Sequence, residues 1–258
     1  MTAIKGVLFD MDNTLIDWSG FTNDWRDLDQ MHLQRVYDFL EQANRKLNSD
    51  IDEFVAIYID KVTDAWAQAR TTLRAPHMGR LLLEAAEACG FQADDVIDMQ
   101  ALLQAFKWNL VENVTLFPDV PQGLKNLQAR GLKLGIVTNA FQPMRLRDAE
   151  LETIDILQYF PNESARIAAA DVGYLKPHEI IFRHALAQLG TSAEETVFVG
   201  DNPVADIAGA QGAGMRAVLR VNHPAPPLIS GLIIPDGAVN DFGELVQLID
   251  RWAKEAAE

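Results

Sequence analysis

Asp10 and Asp12 stand two residues apart, just past the apolar run "GVLF" that reads as a buried strand. Asp is a poor strand residue, and two carboxylates this close raise each other's pKa. Two further apolar runs end the same way: "LKLGIVTN" closes on Thr138 and Asn139, and "TVFVGD" closes on Asp201. In an open parallel sheet, ligands bind beyond the carboxyl ends of the strands, so these groups are expected to converge there. Carboxylates that converge need a cation, and a few oxygen donors point to Mg²⁺, which shares its sphere with water and substrate phosphate. A phosphate also needs a donor, and Lys176 in "GYLKPHEIIF" is one candidate. Each residue has a plainer alternative. Asp10, Asp12 or Asp201 alone would serve as a turn or helix cap, Thr138 and Asn139 as turn residues, and Lys176 as a solvated charge.

The elements that must position these groups alternate. Apolar runs ending at Asp10, Asn139, Asp201 and Val221 are separated by helical patterns, which argues for a parallel sheet covered on both faces. The alternation breaks between about Asp17 and Thr115. There the 3–4 spacing of Leu33 to Leu47 and of Phe54 to Ala69 predicts two amphipathic helices. A third runs from Leu81 to Cys89, stopped by Gly90, and a fourth spans roughly Ala93 to Leu110. The expected fold class is therefore α/β: a Rossmann-like parallel sheet core with an inserted α-helical, four-helix-bundle cap domain. The expected division is 1–16 with 116–258 as the catalytic core and 17–115 as the cap. "DWSGF" and "VTLFPDVP" would be the hinges.

Composition narrows the function. The 258 residues are 48% apolar and 23% charged, with a formal net charge of −15, so an electrostatic nucleic-acid footprint is not expected. No apolar run is long enough to span a bilayer and no signal-peptide core begins the chain, which leads to the expectation of a cytoplasmic protein without a membrane partner. Cys89 is the single cysteine, which excludes an internal disulfide and a Cys-based zinc site. The chain is expected to act as a monomer or homodimer.

"DMDNT" at Asp10–Thr14 resembles motif I of the haloacid dehalogenase superfamily. "VTNA" resembles its motif II, "LKP" its motif III, and "GDNPVAD" with "GAQGAGM" its motif IV, all in the family's order. The insert between motifs I and II is similar to the helical cap of the subclass with a type 1 cap. The resemblance implies a Mg²⁺-dependent phosphatase acting on a small phosphorylated metabolite. By that resemblance Asp10 is the nucleophile that forms an aspartyl-phosphate, and Asp12 is the general acid and then the base. Thr138 and Asn139 bind the phosphoryl oxygens, and Lys176 neutralises the transferring charge. Asp10, Asp201 and the backbone carbonyl of Asp12 hold the metal, while Thr14 and Asp206 support them from behind. Family dehalogenases lack an acid at the position of Asp12, which favours phosphoester chemistry. Family phosphomutases carry a cap His soon after motif I; here the first is His32, inside a helical pattern, which favours hydrolysis. The alternatives are a phosphomutase of the same family and a non-catalytic phosphate-binding module. Within the insert, Arg70, Arg74, His77 and Arg80 are either a solvated basic turn or a grip for a second anion. Trp18 and Phe21 either meet the leaving group or pack the hinge.

Overall fold

The structure is a computed structural model that describes residues 2–94, 96–222 and 232–256. Its centre is a six-stranded sheet in the order β5-β4-β1-β6-β7-β8, parallel throughout. The strands are β1 Gly6–Phe9, β4 Lys133–Thr138, β5 Arg166–Ala168, β6 Thr196–Gly200, β7 Arg216–Arg220 and β8 Gly237–Val239. The chain moves outward from β1 through β4 to β5, then returns to the other side of β1 at β6. That reversal makes the end of β1 the switch point, where an open α/β sheet holds its ligand. β1, β4 and β6 are buried along most of their length, as strands covered on both faces must be.

Four helices lie between β1 and β4: α1 Trp25–Gln42, α2 Ile51–Thr72, α3 Met78–Ala88 and α4 Met99–Phe106. Each packs on the next, and α4 returns to α1, closing a bundle. Asp24, Asp50 and Asp98 cap three of them by accepting backbone N–H bonds in the first turn, which uses part of the chain's surplus acid well. A two-stranded antiparallel ribbon, β2 Ile16–Asp17 against β3 Thr115–Leu116, ties the start of this segment to its end. Periodicity does not indicate that ribbon, because two residues carry no period.

Two helices are shorter than their spacing implies. The fourth is expected from Ala93 but starts at Met99. The Asp94 carboxylate takes the Val96 and Ile97 N–H groups at 2.9 and 2.8 Å, and this local turn competes with helix. It also ends early, at Lys107, which is left-handed with φ 54°. The first helix ends at Gln42, before Leu47, with Asn44 left-handed at φ 57°.

α5 Val120–Ala129 and the final helix, numbered α10 here, Phe242–Glu255, cover one side of the sheet. Between them in the chain come α6 Met144–Thr153, the short α7 Ala169–Val172, α8 Glu179–Leu189, and a π-turn Pro203–Ala208 that runs into α9 Gly209–Gly212. Pro177 does not open α8 as its sequence position suggests; His178 is the N-cap instead. Phe242 anchors α10: its ring stacks on Phe9 at 5.4 Å. Gly123 of α5 lies directly under Phe242, where a Cβ would collide with the ring. Among the described residues no helix is long and apolar enough to cross a membrane.

Phe242→Ala should destabilise the protein by about 3–5 kcal/mol, since it removes a fully buried ring against the central strand. Urea unfolding at neutral pH checks this. A loss under about 1 kcal/mol would mean that α10 is not fastened to the sheet through this ring.

Candidate active site at the strand ends

Strand register brings the candidate residues to one level. Phe9 pairs with Ile136 on one side and with Val199 on the other. Asp10 is the next residue of β1, Thr138 the last of β4, and Asp201 the first after β6. The Asp10 N–H donates to Val199 O at 2.8 Å, so β1's pairing continues one residue beyond the strand. The chain then turns sharply: Leu15 and Ile16 N–H groups both donate to Met11 O, and Asn13 adopts φ 59°. Asn tolerates this left-handed conformation better than most residues. Met11, Thr14 and Leu15 are fully buried beneath the turn, and the Thr14 hydroxyl lies 3.4 Å from Asp10 Oδ2.

Lys176 occupies the centre. Its Nζ donates to Asp10 Oδ1 at 2.7 Å and to Asp206 Oδ1 at 2.6 Å, with all three side chains nearly inaccessible. The Lys176 backbone is fixed by Asn139, whose Oδ1 accepts from its N–H at 2.7 Å and whose Nδ2 donates to its carbonyl at 3.1 Å. Asp206 is held in turn by the Asn202 N–H at 2.9 Å from its Oδ2. Gly200 makes room for it, since a Cβ there would collide with the carboxylate. Burial by itself would lower the Lys176 amine, but Asp10 and Asp206 outweigh it and hold the amine above its ordinary value. Burial, with Asp206 and Asp12 adding to it, pushes Asp10 well above the ordinary carboxylate range despite Lys176. Asp201 is pushed up to about 6, first by burial and then by Asp206. Carboxylate oxygens of Asp10, Asp201 and Asp206 all lie within 4.8 Å of one another, a spacing able to hold a metal ion.

Asp12 turns its side chain away from this cluster. Its Oδ1 accepts from Trp18 Nε1 at 2.8 Å and from Arg147 Nη2 at 2.5 Å. Among the described residues its Oδ2 accepts only from the Thr138 hydroxyl, at 3.3 Å. Nothing in the sequence singles out Arg147. It lies on α6 in "MRLRD", one Arg of two, and nothing local marks which of them points inward. It is buried, donates to Asp12, and faces Glu150 Oε2 at 3.1 Å one helical turn on. Glu150, fully buried, also accepts from Trp108 Nε1.

Beside Asp12 opens a cavity of about 650 Å³ whose wall includes Asn139 from the end of β4, Arg147 from α6, and Trp25, Asp29 and Trp66 from α1 and α2. Trp18 and Phe21 also line it, so the Trp18 ring both borders the cavity and bonds Asp12. The basic turn of the helical segment is placed elsewhere. Arg74 lies over the Tyr174 ring at 4.5 Å, His77 caps α3, and neither they nor Arg70 and Arg80 are part of the cavity wall. His32 is also outside it, buried with Nδ1 2.7 Å from Phe106 O.

A family model described as haloacid dehalogenase-like hydrolase matches residues 4–214. The glyceraldehyde 3-phosphate phosphatase of Methanocaldococcus jannaschii is 26% identical over 98% of this chain and 100% of its own length. A phosphoglycolate phosphatase of Salmonella typhi is 30% identical over 94% of this chain and 91% of its own. Among solved structures, the 2-haloacid dehalogenase of Pseudomonas syringae pv. Tomato DC3000 superposes with a TM-score of 0.61 at 27% identity, covering 97% of this chain and 100% of that one.

Burial raises Glu150 from 4.5 to about 7, against the opposing pull of Arg147 and Trp108. A carboxyl whose pKa is raised in the folded state favours folding below its unfolded value, and that contribution is lost as pH rises through the folded one. The wild type should therefore lose up to about 3 kcal/mol from this group as pH rises through this interval. Glu150→Gln does not titrate, so its stability relative to wild type should rise by about that amount between acid and mildly alkaline pH. Urea unfolding of both proteins at the two pH values checks this, and a pH-independent difference would contradict it.

Proposed function

The chain belongs to the haloacid dehalogenase-like hydrolases, and on that premise we propose that it is a phosphatase that cleaves a small phosphorylated metabolite through an aspartyl-phosphate on Asp10. The observation that carries this reading is Lys176, held between Asp10 and Asp206 beside a cavity whose wall includes Asp12. Asp10 attacks phosphorus as the bond to the leaving oxygen breaks. Asp12 gives its proton to that oxygen through Oδ2, the carboxylate oxygen left free of Arg147 and Trp18. In the second half Asp12 takes a proton from water, the water oxygen attacks phosphorus, and Asp10 is released as a carboxylate. Lys176, the Thr138 hydroxyl and the Asn139 backbone N–H offset the charge on the transferring group. Arg147 keeps Asp12 in place and is a positioning residue.

The donor set fits Mg²⁺. Burial opposes ionisation of both Asp10 and Asp201, the donors are all oxygen, and their spacing suits one small ion. Asp10, Asp201 and the Asp12 carbonyl would hold it, with Asp206 behind, tied to Lys176 and Asn202. Bound there, the ion keeps Asp10 ionised and draws charge from the phosphoryl oxygens. We take residues 17–115 as a cap and 1–16 with 116–258 as the core, because α1 and α2 supply one part of the cavity wall and the strand ends supply another. Two proteins named for different activities, a dehalogenase and a phosphatase, resemble this chain. Asp12 decides between them: a departing halide needs no proton, whereas an alkoxide does. Transfer within one substrate, as in a mutase, has no support from His32, which lies outside the cavity.

Asp10→Asn should abolish phosphate release while leaving far-ultraviolet circular dichroism unchanged. Turnover within tenfold of wild type would remove Asp10 from the nucleophile's role. A second expectation concerns the metal and does not rely on turnover. Mg²⁺ at 100 times its Kd should add about 2.7 kcal/mol of stability, read as a rise in melting temperature at pH 7.5. Protonation of Asp201 below about 6 should shrink that rise at lower pH, and Asp201→Asn should remove most of it. An equal rise in all three cases would place the ion elsewhere.

A further inference from the structure

The cavity is built from rings. Trp18 and Trp25 stack at 5.6 Å and 30°, and Phe21 leans on Trp25 at 4.5 Å. Trp66 and Phe141 form a second, edge-on pair at 6.1 Å. All five side chains border the same space, and Trp25 remains 48% exposed. A Trp that keeps this much exposed surface beside a cavity, despite its two ring neighbours, leaves apolar area uncovered there. The charged residues of the wall are Asp12, Asp29 and Arg147. Arg147 is already engaged by Asp12 and Glu150, so among the described residues the wall offers no free cation. Asp29 is the reverse case: it forms no hydrogen bond or ion pair with any described residue, yet it is half-buried in α1 and borders the cavity. The Tyr58 hydroxyl, fully buried and also without a partner among the described residues, feels the Asp29 charge.

A two-carbon acid such as glycolate would occupy a small part of 650 Å³ and would bring its carboxylate to a wall with two carboxylates and one engaged guanidinium. A flat ring fills such a space and stacks on Trp and Phe faces. A donor on that ring would supply the bond that Asp29 lacks. We propose that the leaving alcohol of the natural substrate carries an aromatic or heteroaromatic ring bearing an N–H or O–H donor, seated among Trp18, Trp25 and Trp66 with its donor on Asp29, and that small aliphatic acid phosphates are poor substrates. This rests on the phosphatase reading above and names the class of substrate for that site.

The test compares adenosine 5′-monophosphate and pyridoxamine 5′-phosphate with phosphoglycolate and 3-phosphoglycerate, with Mg²⁺ present. At least one ring ester should exceed both acid phosphates in kcat/KM by tenfold or more. Asp29→Asn should reduce that ratio at least fivefold, chiefly through KM for the ring ester. In parallel, the Asp10→Asn protein is titrated with the same four compounds, and quenching of tryptophan fluorescence is followed. The ring ester should quench at least tenfold lower concentration than the acids. Hydrolysis of all four with the acids equal or preferred would overturn the substrate assignment and leave the phosphatase reading standing. A ratio indifferent to Asp29→Asn would overturn the role of Asp29 in it. Selective quenching by a ring ester without phosphate release from any compound would overturn the phosphatase reading and leave the ring site standing. Neither hydrolysis nor quenching would overturn both.

Discussion

One ammonium group between two buried carboxylates sets the terms for the rest of the site. Lys176 reaches Asp10 and Asp206 at 2.7 and 2.6 Å in a place that water barely enters. Unpaired, any of these charges would be costly to bury; paired, they still leave a surplus of negative charge once Asp201 is counted. The local architecture follows from keeping this arrangement intact. Asn139 binds both polar groups of the Lys176 backbone, so the amine is aimed from a fixed base. Gly200 yields the volume that Asp206 occupies. The surplus charge that remains is what makes the cluster receptive to a cation; burial first, and then the neighbouring carboxylates, make Asp10 and Asp201 resist ionisation without one.

A second cation, Arg147, does for Asp12 what Lys176 does for Asp10. It keeps Asp12 apart from the metal-type cluster and gives its two oxygens different surroundings: Oδ1 is saturated, Oδ2 is nearly free. Two carboxylates two residues apart thereby acquire separate environments, the condition under which they can take separate chemical roles. Through Glu150 the same network reaches Trp108, in the stretch that leads back from α4. The helical segment and the sheet therefore meet in a buried polar network as well as in an apolar one. Because such a network is costly when broken, it favours one arrangement of its members.

The aromatic cavity adds a constraint of another kind. Its rings come from the turn after β2, from α1 and α2, and from the loop after β4. No single element could provide a slot of that size. Charge is concentrated at the strand ends, and apolar area is gathered mostly from the helices.

Much was legible in the sequence because it is local. The apolar runs marked the strands β1, β4, β6 and β7, and the residues that end three of them carried the candidate chemistry. The four amphipathic patterns located the four helices, since burial of one face imposes a period that a single chain segment can display. What lacked a period escaped: the three-residue strands β5 and β8, the ribbon of β2 and β3, and the late start of α4, where Asp94 binds the backbone of Val96 and Ile97. The partners escaped for a different reason. Nothing in "MRLRD" distinguishes Arg147 from Arg145, and nothing near Asp12 announces a guanidinium 135 residues away. Asp29, Trp25 and Trp66 read as ordinary positions of amphipathic helices until folding set them around one space. Residue type and spacing determined which groups could react and in which order the elements run. Which charge neutralises which, and what the cavity is lined with, depended on contacts between distant segments, and only tertiary structure brings those together.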